Sequence, residues 1–155
     1  MLSKIISCLL TVSAIMLPGC WQEKQETIQE NRKPSKSIHL QDMVKNKQDA
    51  PKVLRKHVAQ GNVVVDFYAK WCPPCKMMLP IIDELSNTYE NISFVKVDID
   101  QFTDLANGFD VAGKHIAIQG VPVFYLFKDG AIVDQIDGGM HKEAFEQIMN
   151  ASFGQ

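Results

Sequence analysis

The first apolar block, "IISCLLTVSAIML" from Ile5 to Leu17, is uninterrupted and uncharged, and Lys4 precedes it. It is shorter than the ~20 residues a membrane-spanning helix needs, and it has the length and flank of the hydrophobic part of an export signal. From Trp21 to Ser37 the pattern disappears. "WQEKQETIQENRKPSKS" is polar, mixed in charge and without an apolar period, which predicts a tether or a frayed helix. Periodic structure begins near Ile38. "SIHL" is a short strand candidate, and Asp42 to Gln60 reads as helix, interrupted at Pro51 and stopped by Gly61. "NVVVDFYA", Asn62 to Ala69, is rich in β-branched and aromatic residues, as a strand buried on both faces would be.

After Cys75 the spacing becomes helical, with Met78, Leu79, Ile82 and Leu85 able to share a face and Pro80 interrupting the run. "ISFVKVDID", Ile92 to Asp100, alternates as a strand, and Phe102 to Gly113 is a candidate short helix. "VPVFYLF", "KDG" and "AIVDQI" predict a hairpin from Val121 to Ile136, and His141 to Asn150 predicts a closing amphipathic helix. The order β-α-β-α-β-α-β-β-α implies an α/β fold, a central mixed sheet flanked by helices on both faces.

Composition and charge narrow the function classes. The chain has 155 residues, enough for one domain with a segment left over. A formal net charge of −2 provides no basic footprint, which argues against nucleic acid as a partner. No repeat period is present.

The export-signal block ends in "LPGC", Leu17 to Cys20. This resembles the lipobox of bacterial lipoproteins, in which cleavage precedes a cysteine that then carries lipid. Leu17 and Gly19 fit that pattern and Pro18 departs from it. The resemblance implies a signal peptide over residues 1–19, lipidation at Cys20, a lipid-anchored tether over 20–37 and a folded domain over 38–152. An uncleaved N-terminal anchor is the alternative. Either way the domain is exported to the cell envelope and held at a membrane.

The cysteine count then becomes informative. Of four cysteines, Cys8 lies in the signal and Cys20 at the lipobox, so the domain keeps only Cys72 and Cys75, in "WCPPCK". So short a loop constrains little chain entropy, which makes a purely stabilising bridge a poor explanation. Structural zinc wants four ligands, and His39, His57, His115 and His141 are scattered, so no metal is implied. A thiol pair that exchanges electrons remains. It follows a strand and opens a helix, where unpaired N–H groups and a partial positive charge favour a thiolate. Cys72 is therefore the candidate nucleophile and Cys75 the candidate resolving thiol. Pro73 and Pro74 are tolerated in a first turn and stiffen the loop. Lys70 and Lys76 flank the motif. Asp66 is a carboxylate among apolar neighbours, and burial there would raise its pKa; an edge-strand aspartate facing solvent is the alternative.

At these residues the chain resembles the thioredoxin family. "VVVDFYAKWCPPCKMMLPIIDEL" is similar to that family's active-site strand, redox motif and kinked helix, and "GVP" completes the signature, over about Ile38 to Ala151. The resemblance implies the thioredoxin fold and thiol:disulfide oxidoreductase activity without a cofactor. It implies that Asp66 is a buried acid/base group for Cys75 and that Lys96 pairs with it. It implies a cis bond before Pro122, facing the cysteines, with client peptides pairing against Val121. Gly138 would lie near the same surface, although a plain turn glycine is an equal reading. Trp71 would form an apolar platform for protein disulfide clients. Tyr68 stands where the family often has a second tryptophan. The stretch from Gln101 to Gln119 is longer than in ordinary thioredoxins, either to alter partner choice or as a neutral elongation.

Three functions compete on these residues: an envelope-side reductase, a disulfide oxidase or isomerase, and a binding module without turnover. Intact cysteines, Asp66 and Pro122 speak against the last. The lack of any charge or N–H between the cysteines favours the reductase. Such a reductase needs a membrane dithiol electron donor as partner.

Overall fold

The computed structural model describes residues 36–154. The expected signal peptide, the lipid-bearing Cys20 and the tether up to residue 35 lie outside the described residues. The elements run β1 (Ile38–His39), α1 (Leu40–Met43), a 3-10 turn (Lys47–Asp49), α2 (Ala50–Val58), β2 (Asn62–Tyr68), α3 (Pro73–Thr88), β3 (Ile92–Asp98), α4 (Thr103–Asn107), β4 (Phe109–Val111), β5 (Lys114–Ile116), β6 (Val123–Lys128), β7 (Ala131–Asp137) and α5 (Lys142–Phe153).

Five strands form one mixed sheet in the order β1-β3-β2-β6-β7. β2 and β3 are parallel and joined through α3, while β6 and β7 are antiparallel and joined by a turn at Asp129–Gly130. β2 is central and buried along almost its whole length, which is why its sequence is apolar rather than alternating. One face of the sheet packs Val65, Phe67 and Val97 against Leu54, Val58 and Leu105 of α2 and α4. The other packs Val64, Phe94 and Phe124 against Met78, Ile82 and Leu85 of α3 and Phe145 and Met149 of α5. Phe124 and Phe145 meet edge to face with ring centroids 4.9 Å apart.

Three expectations are revised. Pro51 does not interrupt a helix; it sits in the first turn of α2, where its missing N–H has no partner to lose, and the break lies upstream at residues 44–46. Leu79 is only half-buried and joins neither core, because α3 turns Met78, Ile82 and Leu85 inward. The stretch from Phe102 to Gly113 is not one helix. α4 ends at Gly108, and β4 and β5 follow as a separate hairpin around Ala112 (φ 52°) and Gly113 (φ 71°). Two positive φ values in succession suit a tight hairpin turn. Gly108 has φ 148°, a conformation that favours glycine, and a Cβ there would also push aside the exposed His115 ring.

Candidate active site

α3 begins against the end of β2, and Cys72 is its N-cap, with φ −83° and ψ 112°. Pro73 and Pro74 occupy the first helical turn, so the first N–H in the helix is that of Cys75. That N–H donates to Cys72 Sγ at 3.1 Å. Lys76 N–H returns to the Cys72 carbonyl at 3.2 Å and closes the turn. The two cysteines are joined as a disulfide with Cα atoms 5.3 Å apart. Both are buried, in a small cluster with Tyr68 and Ala69.

The loop before β6 faces this disulfide. The Val121–Pro122 bond is cis. The Val121 carbonyl oxygen lies 3.5 Å from Cys72 Sγ, a distance at which a reduced Cys72 thiol can donate to it. Gly138 follows β7 with φ 81°, and its N–H donates to the Pro122 carbonyl at 2.8 Å. A residue with a Cβ would be strained there, so this glycine holds the end of β7 to the proline loop. The Met140 N–H donates to Met78 Sδ at 3.4 Å and ties the same loop to α3. The structure thus brings Cys72, Cys75, Val121, Pro122 and Gly138 to one surface. A cleft of about 210 Å³ opens beside it, lined by residues 117–121, Tyr125 of β6 and Gln135 and Asp137 of β7. Residues 117–119, the end of the 101–119 stretch, form one of its walls.

Trp71 is 64% exposed beside the buried cysteines, so it supplies apolar area to that surface. Its indole N–H donates to Asp100 Oδ1 at 3.3 Å, which fixes the ring's orientation. Lys70 faces Asp98 Oδ2 at 3.7 Å, so that carboxylate competes for its charge. Among the described residues no group of three or more His, Cys, Asp or Glu side chains is placed to hold a metal ion.

Asp66 lies in the middle of β2 and is 2% exposed. Burial pushes its carboxyl up to about 7 from the ordinary 3.8; Lys96 works against that rise and Asp83 adds to it. Asp66 and Lys96 are register partners on β2 and β3, but the ion pair between them that the family resemblance implies is not formed. The buried Lys96 ammonium makes its ion pair with Asp83 of α3, and Asp66 Oδ1 has no hydrogen-bond partner. Asp83 was missed in the sequence because "IIDEL" reads as a helix with ordinary surface carboxylates. A signal was present: a lysine inside the apolar run "FVKVD" has to find a counter-charge.

A sheet with this cis-proline loop opposite a disulfide at a helix start defines a class of thiol-disulfide exchange proteins. Comparison with known proteins agrees. The family model for thioredoxin matches residues 43–151. "Thioredoxin Asp f 28" of Aspergillus fumigatus is 35% identical over 105 residues, covering 67% of this chain and 91% of that protein. "Thioredoxin Y2, chloroplastic" of Arabidopsis thaliana is 40% identical over 91 residues, covering 57% of this chain and 50% of that longer protein. The solved thioredoxin NaTrxh from Nicotiana alata superposes with a TM-score of 0.60 at 30% identity, covering 78% of this chain and 96% of that one. The chain belongs to the thioredoxin family. It is a disulfide oxidoreductase with the thioredoxin fold, and its relatives indicate protein disulfides as substrates.

Proposed function

We propose that this protein is an exported oxidoreductase, anchored to a membrane by lipid at Cys20, that reduces disulfides in client proteins through Cys72 and Cys75. The Cys72 thiolate attacks one client sulfur and displaces the other as a thiolate, leaving a mixed disulfide. Cys75 then passes its proton to the Asp66 carboxylate and attacks Cys72 Sγ. The client sulfur bound to Cys72 leaves, both client sulfurs take protons from solvent to become thiols, and two electrons have moved from the dithiol to the client. A membrane dithiol donor restores the Cys72–Cys75 pair. Val121 pairs with the client backbone and Trp71 covers its apolar side.

One observation carries the direction. Of the first three positions of α3 only Cys75 has an N–H, and that single donor faces Cys72 Sγ. A thiolate at Cys72 is therefore held by little beyond the helix end, and the reduced form gains little stabilisation. The equilibrium potential of the pair against glutathione tests this. The expected value is nearer ~−270 mV than ~−120 mV, and a value above about −180 mV would establish a disulfide oxidase or isomerase instead.

The attack order has its own check. Cys75→Ala is expected to accumulate mixed disulfides through Cys72, and accumulation in Cys72→Ala alone would reverse the assignment. The anchor rests on "LPGC" and the preceding apolar block. Cys20→Ser is expected to abolish acyl labelling, and retained labelling would refute lipidation there.

A further inference from the structure

Two buried charges of opposite sign, Asp66 and Lys96, sit side by side on adjacent parallel strands and do not join. Lys96 is 4% exposed, so its ammonium needs a partner inside the protein. Its partner is Asp83, one helical segment beyond the cysteines on α3 and 37% exposed. The same Asp83 Oδ1 accepts the Ser37 hydroxyl at 3.2 Å. Ser37 immediately precedes β1, whose His39 is the register partner of Lys96 on the other side of β3. Asp83 is therefore engaged from β3 and from the N-terminal edge at once.

We propose that Asp83 is a positioning residue for the buried acid: it draws the Lys96 ammonium toward α3 and leaves the Asp66 carboxyl without a fixed counter-charge. This inference deepens the exchange mechanism proposed above and rests on Asp66 serving there as the proton acceptor. The chemistry requires such a device. A carboxylate locked to a lysine gives up its affinity for protons, and it would be a poor acceptor for the Cys75 proton at neutral pH.

The other groups around Asp66 do not supply this control. From β3 the charged neighbour is Lys96 itself, and from α3 it is Asp83; Cys72 and Cys75, joined as a disulfide, do not titrate. On β2 the Tyr68 phenol feels the Asp66 charge. From β6 the residue paired with Asp66 is the apolar Phe124. Asp83 is the residue that can move the lysine's charge without itself occupying the core.

The test uses the full chain with the Cys72–Cys75 disulfide intact, so that neither thiol titrates. The probe is the Asp66 side-chain carboxyl carbon followed by NMR against pH and assigned through Asp66→Asn. In Asp83→Asn the Lys96 ammonium is released toward Asp66, and the midpoint is expected to fall by at least one pH unit, a tenfold rise in acid dissociation. Asp83→Ala should move it the same way. In Asp83→Asn combined with Lys96→Met the midpoint should return to or above the starting value. An unchanged or raised midpoint in both Asp83 variants, or the same fall in the double variant, would overturn the proposal. The pH dependence of disulfide reduction, measured on the same variants, separates the two readings. A shifted titration with an unshifted rate profile supports the positioning by Asp83 and removes Asp66 from the exchange step.

Discussion

Two aspartates are buried to the same degree and live in opposite surroundings. Asp66, in mid-strand on β2, and Asp98, at the end of β3, are 2% and 3% exposed. Asp66 Oδ1 has no hydrogen-bond partner. Asp98 accepts from the Asp100 N–H at 3.1 Å and the Gln101 side-chain amide at 2.9 Å, and its backbone carbonyl accepts from Gln101 and Phe102. Asp98 fixes the turn into α4 through these bonds. Asp66 keeps one carboxyl oxygen that meets no donor. Burial alone therefore does not set a carboxylate's affinity for protons; the supply of donors around it contributes.

The same substitution at both positions should have opposite signs. The larger effect belongs to Asp66. Its folded carboxyl titrates at about 7 instead of 3.8, so between those values the folded state binds the extra proton and stability falls as pH rises. The difference is worth about 4 kcal/mol at ~1.4 kcal/mol per pH unit. Asp66→Asn should therefore stabilise the oxidised protein by about 2–4 kcal/mol at pH 8, with the gain vanishing near pH 4. Denaturant unfolding at several pH values reads this directly, and a gain independent of pH would break the contrast.

At Asp98 the asparagine amide would turn a donor toward a donor. Asp98→Asn should cost about 1–3 kcal/mol at neutral pH, measured by the same unfolding series, and a stabilised variant would show that the two sites are alike after all. The smallest effect sharpens the contrast on the lysine side. Lys70 is 75% exposed beside Asp98, so Lys70→Ala should cost less than about 1 kcal/mol. Lys96, at 4% exposed, should be far less tolerant of loss, and equal unfolding midpoints for Lys70→Ala and Lys96→Ala would count against a paired buried ammonium.

Much of this arrangement could be read from the chain. The buried strand around Asp66, the helix opened by Cys72, the hairpin after Pro122 and the closing helix carry strong periodicity, because each has one or two faces fully committed to the core. The cis bond and the place of Gly138 were legible only through the family signature, since nothing in local pattern separates Gly138 from a turn glycine. The hairpin at residues 109–116 was not legible. Its turn puts an alanine at positive φ, where asparagine or glycine is the usual signal, and its strands are three residues each. Asp83 escaped for a different reason: the one signal for it, a lysine in an apolar strand, lies thirteen residues away on another element. Periodicity reports burial on one element, and ion pairs between elements escape it.

The two prolines between the cysteines also determine how this centre can be watched. Neither Pro73 nor Pro74 has an amide hydrogen, so the loop between the sulfurs is silent in amide-detected NMR and in hydrogen exchange. The first amide after that silence is the one from Cys75, and it points at Cys72 Sγ. Its acceptor is a disulfide sulfur in one state and a thiol or thiolate in the other. One backbone resonance therefore reports the redox state of this centre and can be followed in real time as electrons arrive.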